Sequence, residues 1–267
     1  MINCINLGSL RRRVQEDAKS FREADPFPHL VFDDLLVEDI KEQLLNTFPV
    51  DAWDGWFRFD DKMQFKKLAC ARIDKIPPPL DRILFELNSA PVLNWLSDLT
   101  GIPQLLADPW LEGGGLHSSG PGGTLIPHTD FHLCKLNSHY RRINALLYLN
   151  VGWSEENGGA LELWDKEKDH TVKEVWPEFG RCVIFQTDDR SVHGFSRPVV
   201  GRCRNSIALY YYTTTSPPTF AGDGATHWRA RSIEVKGAIG HFQKLAYRLC
   251  MGASNRFSKL AWYCMQE

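Results

Sequence analysis

Two stretches of this sequence decide its fold class, because each alternates between an apolar face and a mixed face. The first reads Ile143-Asn144-Ala145-Leu146-Leu147-Tyr148-Leu149-Asn150, and the second reads Arg204-Asn205-Ser206-Ile207-Ala208-Leu209-Tyr210-Tyr211. Successive side chains of a β-strand point to opposite faces, so each stretch predicts a strand with one apolar side. The mixed side either meets water or lines a polar pocket inside a barrel, and these strands alone favour water.

The rest of the chain extends this pattern into a mainly β core flanked by helices. Further short β-type runs cover 160–164 and 181–187, with turn residues but no helical pattern between them. Such a series is typical of an antiparallel sandwich or barrel. Helical periodicity covers 37–48 and 88–99 and returns after residue 237. We therefore predict a single domain, 1–267, with a mainly helical N-terminal support (1–103), a β core (104–215) and a helical C-terminal segment (216–267).

Composition excludes several classes of protein. The chain has 267 residues, 43% of them hydrophobic, with a formal net charge of −2. This charge gives no reason to expect nucleic acid or an anionic membrane as partner, and no run approaches the roughly 18 apolar residues of a membrane span. The first residues lack the order of a secretory signal. The seven cysteines form no C-x-x-C pair, so we expect a cytoplasmic protein with free thiols; its oligomeric state is left open.

A group of potential metal ligands follows the glycine-rich segment 113–123. His128 and Asp130 are two residues apart, so in an extended chain both side chains reach one side. His193 follows the predicted strand 181–187. Two histidines and one carboxylate on one face of an ion leave open coordination sites, as in non-haem Fe(II) oxygenases. A lone His-x-Asp pair is common by chance, so the motif needs support from elsewhere in the sequence.

Arg204 supplies that support at the head of the second strand. Iron that activates O₂ needs two electrons beyond those that a simple hydroxylation returns, and a 2-oxo acid supplies them. Its distal carboxylate needs a fixed cation, for which the two-pronged guanidinium is suited. Tyr148, on the mixed face of its strand, is placed to add a hydroxyl to the same carboxylate. Asn144 shares that face, and we predict that it also contacts the co-substrate.

The ordered set of motifs resembles the prolyl-4-hydroxylase-like group of Fe(II)- and 2-oxoglutarate-dependent dioxygenases. The matching segments span residues 113–213 and are His128-Thr129-Asp130-Phe131, Arg142–Asn150 with Trp153, Gly158–Trp164, Phe179–Phe185, His193-Gly194 and Arg204–Tyr212. The resemblance implies a double-stranded β-helix, also called a jelly roll or cupin-like fold. The mixed strand faces would then line the mouth of this fold, which reverses the interpretation from the strands alone.

Residue by residue, the resemblance implies that His128, Asp130 and His193 bind Fe(II). It also implies that Arg204 binds the C5 carboxylate of 2-oxoglutarate with help from Tyr148. Many members carry the cation one or two residues nearer the second histidine, where this chain has Arg202 and Cys203. Arg202 is therefore a competing candidate, although the register of the following strand favours Arg204. His117, His132 and His139 are weaker candidates for contact with substrate.

By resemblance, we expect an enzyme that uses Fe(II), 2-oxoglutarate and O₂, with ascorbate as a possible reductant. It would hydroxylate an aliphatic C–H bond of a small-molecule, amino-acid-like or peptidyl (prolyl) substrate and release succinate and CO₂. Asp130 disfavours halogenation, because related halogenases lack this carboxylate. Three alternatives stay open at this point: desaturation or ring formation with the same cofactors, a non-catalytic metal-binding jelly-roll scaffold, and a zinc or manganese enzyme on a cupin-like barrel.

Overall fold

The computed structural model describes residues 3–167, 169–217 and 226–228. Five α-helices lie in the first hundred residues: α1 (Leu7–Arg12), α2 (Val14–Glu23), α3 (Lys41–Thr47), α4 (Leu80–Leu87) and α5 (Ala90–Thr100). Short 3₁₀ turns cover Glu38–Ile40 and Glu155–Asn157. The predicted helices 37–48 and 88–99 correspond to the first of these turns with α3, and to α5. Helix α5 ends at Gly101, whose left-handed φ of +71° is open to glycine without strain.

Eleven strands lie within the described residues. They are β1 (His29–Phe32), β2 (Phe57–Phe59), β3 (Gln64–Cys70), β4 (Gly115–Thr129), β5 (Tyr140–Tyr148), β6 (Leu161–Asp165), β7 (His170–Val175), β8 (Cys182–Gln186), β9 (Val192–Phe195), β10 (Arg204–Thr213) and β11 (His227–Trp228). The four runs predicted from sequence correspond to β5, β6, β8 and β10, with ends shifted by at most three residues.

The strands form one antiparallel, nearly closed sheet in the order β1-β8-β5-β10-β4-β9-β6-β7, and β3 and β11 also pair with β4. Strand β4 is long enough to join two parts of this sheet. Its first half, around Ser119, pairs with β10, and its second half, around His128, pairs with β9. This arrangement is the predicted jelly-roll core, and it brings residues far apart in sequence to one interior.

The two faces of β5 and β10 lie in different environments. The apolar faces pack against the helices in the main core, which includes Leu147, Leu209, Leu84 and Trp95. The mixed faces line an internal cavity rather than bulk water. A sheet that closes on itself has an inside, so a polar strand face can be buried there and still be useful. The water-facing interpretation from the strands alone is therefore wrong, and the barrel interpretation is confirmed.

The structure corrects the predicted boundary at residue 104, whereas the predicted C-terminal segment lies mostly outside the described residues. The first hundred residues do carry the helices, but β1, β2 and β3 from this part join the barrel sheet, so the barrel does not begin at residue 104. β1 and β2 have only four and three residues, and β3 carries the consecutive lysines Lys66 and Lys67, so these strands show no clear alternation in the sequence. The C-terminal helical segment expected within 216–267 lies almost wholly outside the described residues. No helix of the described part is long and apolar enough to cross a bilayer.

Candidate active site

Two histidines face each other across a pair of neighbouring strands. His128 near the end of β4 is the register partner of His193 in β9. Their ring centroids lie 4.7 Å apart, and both side chains are buried. The antiparallel pairing of β4 with β9 thus brings together two residues that the sequence separates widely.

Hydrogen bonds fix which nitrogen of each ring points into the cavity. His128 Nδ1 lies 2.8 Å from the carbonyl oxygen of Ile126, and His193 Nδ1 lies 2.9 Å from that of Ser191. An Nδ1–H that donates to a backbone carbonyl leaves Nε2 with a lone pair, as in metal-binding histidines. Both Nε2 atoms point towards Asp130, whose carboxylate oxygens lie 3.5 Å from His128 and 3.4 Å from His193.

Asp130, just after β4, is held by two donors from β5. The Arg141 guanidinium donates to Oδ2 at 2.9 Å and the Asn144 carboxamide donates to the same oxygen at 2.7 Å, which makes Oδ1 the more available oxygen. Burial by itself would raise the pKa of Asp130, but Arg141 and the two imidazoles hold it well below its usual value. Burial lowers the pKa of His193 to about 4. The group therefore presents a carboxylate and neutral imidazole at neutral pH.

This donor set fits a divalent transition metal. One ligand atom from each of His128, Asp130 and His193 lies within 4.8 Å of the others, and all three residues are buried. Two imidazole nitrogens and one carboxylate oxygen form the ligand set of non-haem Fe(II) sites, which keep further positions open. With each Nδ1 bonded to a backbone carbonyl, both Nε2 atoms are aimed inward, as metal binding requires. The three residues could therefore hold iron.

Arg204, the first residue of β10, provides a buried cation in the same cavity. Its side chain is 6% exposed, and it donates from Nε to the carbonyl oxygen of Gly159 at 2.7 Å and from Nη2 to the Tyr148 hydroxyl at 3.1 Å. The guanidinium carbon also lies 4.3 Å from the ring centroid of Phe195. None of the described carboxylates comes within ion-pair distance of it. A buried cation without an anion is costly, so this site is suited to an anionic ligand.

The other residues singled out from sequence fall into different places. Tyr148 lies against Arg204, and its predicted contact with the co-substrate carboxylate stays a prediction. Asn144 lines the cavity, but its carboxamide bonds Asp130, Arg141 and Thr187, so its predicted contact with the co-substrate stays a prediction. Arg202 lies outside the cavity lining, where its Nη1 donates to the carbonyl oxygen of Gly152.

The cavity has a volume of about 390 Å³ and opens beside β2. Sequence reasoning did not assign Lys67, Arg141 or Trp228 to it, yet all three line it. Trp228 reaches the site because β11 pairs with the end of β4, which places its ring 4.6 Å from that of His128. Among the weaker histidine candidates, His117 lines the cavity, whereas His132 and His139 are outside its lining. Simple alternation would place Arg141 with Ile143 on the apolar face, and it reaches the cavity where the pairing of β5 with β10 shifts register, so none of the three carried a signal in the sequence.

Comparison with known proteins agrees with this geometry. Residues 114–212 match the model of the 2OG-Fe(II) oxygenase superfamily. The chain is 25% identical over 211 residues to a mouse protein named prolyl 3-hydroxylase OGFOD1, which covers 74% of this chain but only 35% of that protein. The chain thus spans about a third of the length of this relative.

Solved structures share the fold at low sequence identity. A prolyl hydroxylase from Trichoplax adhaerens, solved with a hypoxia-inducible factor peptide fragment, superposes with a TM-score of 0.56 at 19% identity, covering 77% of this chain and 91% of that one. A Pseudomonas putida prolyl-4-hydroxylase gives a TM-score of 0.52 at 18% identity, covering 73% and 98%. The motifs, the superfamily match and the fold agree, so residues 114–212 are identified by similarity as a 2OG-Fe(II) oxygenase domain, a type of domain that uses Fe(II), 2-oxoglutarate and O₂.

Proposed function

We propose that this protein hydroxylates an aliphatic carbon of a prolyl or amino-acid-like substrate, with iron held by His128, Asp130 and His193. Arg204 and Tyr148 hold the distal carboxylate of 2-oxoglutarate. The observation that carries the proposal is the buried Arg204 guanidinium, which shares one cavity with three convergent metal ligands and has no acidic partner in the described chain. A metal site alone would not need this cation. A co-substrate with a distal carboxylate does.

When bound, iron and 2-oxoglutarate supply the oxidising power for C–H cleavage, with O₂ consumed and succinate and CO₂ released. The side chains of this protein supply position and surroundings. Arg141 and Asn144 hold the Asp130 carboxylate in place, and the carbonyls of Ile126 and Ser191 hold the two imidazole rings. Leu161 and Phe195 add apolar walls to the cavity, which keep water from the reacting groups.

Two observations support the proposed substrate class. The relative and the solved structures described above are named as prolyl hydroxylases, which supports a prolyl ring in a peptide as the first candidate. The cavity rim carries Phe57, whose side chain is 65% exposed, and Phe59 beside it. Apolar rings at an open rim suit a peptide or another extended molecule better than a fully enclosed one. A free amino-acid-like molecule is the second candidate.

The geometry supports the other expectations from sequence to different degrees. Desaturation or ring formation needs the same residues, so the geometry favours neither over hydroxylation. A non-catalytic scaffold, or a zinc or manganese enzyme, would leave Arg204 and Tyr148 without a ligand to bind. We also propose a single domain in the reducing cytoplasm, which the free, buried thiols of Cys4, Cys70, Cys134 and Cys182 support.

Succinate formation tests the proposal directly. The purified chain is incubated with Fe(II), ascorbate and 2-oxoglutarate and with free amino acids, prolyl peptides or carrier-bound small molecules. We expect substrate-dependent succinate from the wild type and from His139→Ala, and only background from His193→Ala. His193→Ala is preferable to Asp130→Ala as the inactive variant, because Asp130→Ala would leave the buried Arg141 without its anion. Equal succinate formation by His193→Ala and wild type would contradict the proposal.

A further inference from the structure

A second cation, Lys67, lines the cavity from β3, which pairs with β4 as β10 does. Lys67 in β3 and Arg204 in β10 are both register partners of Ser119 in β4. Residues in register across neighbouring strands point to the same face, and all three line the cavity. Lys67 and Arg204 therefore lie on one row across three strands, on either side of a serine.

Lys67 has no acidic partner in the part of the chain that the structure describes. Its ammonium donates to the Gln64 side-chain oxygen at 3.0 Å and lies 5.3 Å from the ring centroid of Phe59. Burial lowers its pKa to about 8, so most of the protein still carries the ammonium at neutral pH. A half-buried ammonium with one neutral oxygen as acceptor retains two N–H groups for a ligand.

His117 places an unused nitrogen in the same region. It lies two residues before Ser119 on β4 and so shares the inward face. Its Nε2 is buried without a hydrogen-bond partner, which is uncommon for a side-chain polar atom in a folded protein. Burial, with Lys67 and Arg204 nearby, holds the pKa of His117 well below its usual value, so the ring is neutral and offers a hydrogen bond rather than a charge.

The contacts of Lys67 differ from those of Arg204, which indicates a different role in the cavity. Arg204 is anchored by Gly159 and Tyr148. Lys67 is instead directed to Gln64 and to Phe59, a neighbour of the exposed rim residue Phe57. We propose that Lys67, with His117, binds a carboxylate of the substrate, so that the molecule oxidised carries an acidic group close to the oxidised carbon. This inference rests on the proposed function and deepens it by naming a substrate class.

Matched ligand pairs test the inference. The pairs are L-proline with L-prolinamide, and prolyl peptides with Glu or Gln on either side of the proline. Succinate formation is measured for each pair, together with binding by ligand-observed NMR to the full chain loaded with Zn(II), with and without 2-oxoglutarate. The variants are Lys67→Met, Lys67→Arg to restore the charge, and Lys66→Met as a matched control, since Lys66 is exposed and its ammonium donates to the carbonyl oxygen of Pro121.

The wild type and Lys66→Met should favour the carboxylate member of at least one pair by about tenfold or more, as expected for one charge-assisted hydrogen bond. Lys67→Met should remove this preference, and Lys67→Arg should restore part of it. Equal binding of both members of every pair by the wild type, binding of neither, or a preference that survives in Lys67→Met would overturn the inference.

The dissociation constant of 2-oxoglutarate separates this inference from the proposed function. It should be the same in Lys67→Met and the wild type. A weakening of about tenfold in Lys67→Met would show that Lys67 binds the co-substrate carboxylate instead, which overturns the inference and keeps the proposed function. Conversely, a wild type that binds no 2-oxoglutarate but still selects carboxylates through Lys67 would reject the proposed function and keep the carboxylate site.

Discussion

The two faces of β5 and β10 make opposite contributions to this protein. On the inner face, Asn144, Arg204, Ser206 and Tyr210 line the cavity, and Tyr148 contacts Arg204. On the outer face, alternating with them, the apolar residues Ile143, Leu147, Ile207, Leu209 and Tyr211 lie in the main core with the helices. The same backbone therefore carries the chemistry on one side and much of the stability on the other.

This comparison shows why the strand register matters so much here. A shift of one residue would exchange the faces, placing Arg204 among the helices and Leu209 in the cavity. The buried polar residues of the inner face are costly for an empty fold, and the outer face offsets that cost by burying apolar area. Substitutions on the two faces should therefore separate: one set should change ligand binding and the other the free energy of unfolding.

The largest effect on stability is expected from Leu209→Ala on the outer face. Leu209 is fully buried and pairs with Ala145 across the sheet. Removing most of its side chain should lower the free energy of unfolding by about 2–5 kcal/mol, measured by chemical denaturation. The affinity for 2-oxoglutarate, measured on protein that is still folded, should be unchanged. Weakened co-substrate binding without a loss of stability would break the comparison.

The next effect in size is expected from Arg204→Met on the inner face, and it should appear in ligand binding rather than in stability. The loss of a charge-assisted pair should raise the dissociation constant of 2-oxoglutarate about 10- to 100-fold, measured by calorimetry with Mn(II). Its effect on unfolding should be smaller than that of Leu209→Ala, because a buried cation without an anion contributes little to the stability of the ligand-free fold.

Arg202→Met is the matched control for this prediction, because Arg202 lies outside the cavity lining and bonds the carbonyl oxygen of Gly152. Its 2-oxoglutarate affinity should equal that of the wild type. If Arg202→Met weakened binding and Arg204→Met did not, the assignment of the cation would be wrong by two residues.

The smallest effect on 2-oxoglutarate binding is expected from a second change on the inner face, Tyr148→Phe. Tyr148→Phe removes the hydroxyl that accepts from Arg204 Nη2 but keeps the ring, which packs with Val183 and Phe185. We expect roughly two- to tenfold weaker binding of 2-oxoglutarate, the size of one hydrogen bond, and a midpoint of thermal unfolding close to that of the wild type. A large loss of stability with unchanged binding would make Tyr148 a core residue only.

Local patterns in the sequence were enough to predict some of this arrangement. The alternation in 143–150 and 204–211 predicted both strands and their two faces, because side-chain direction in a strand depends only on sequence position. The spacing of His128 and Asp130 predicted a shared side for the same reason. Helix α5 was predicted from its apolar stripe and from Gly101 at its end.

What the sequence did not reveal depends on pairing between distant strands. Lys67 lies beside Ser119 only because β3 pairs with β4, and no local pattern around residue 67 signals this pairing. The same is true of Trp228, which reaches His128 through β11. Asn144 was correctly placed on the inner face, but its bond to Asp130 depends on the path of the chain after β4.

Metal binding tests the central claim most directly, because the proposed oxidation depends on it. Equilibrium dialysis with Mn(II) measures the metal bound per chain with and without 2-oxoglutarate. We predict one Mn(II) per chain for the wild type and for His139→Ala, bound more tightly with 2-oxoglutarate, and none for His193→Ala under the same conditions. A His193→Ala variant that binds Mn(II) as tightly as the wild type, or a folded wild type that binds none, would contradict the account.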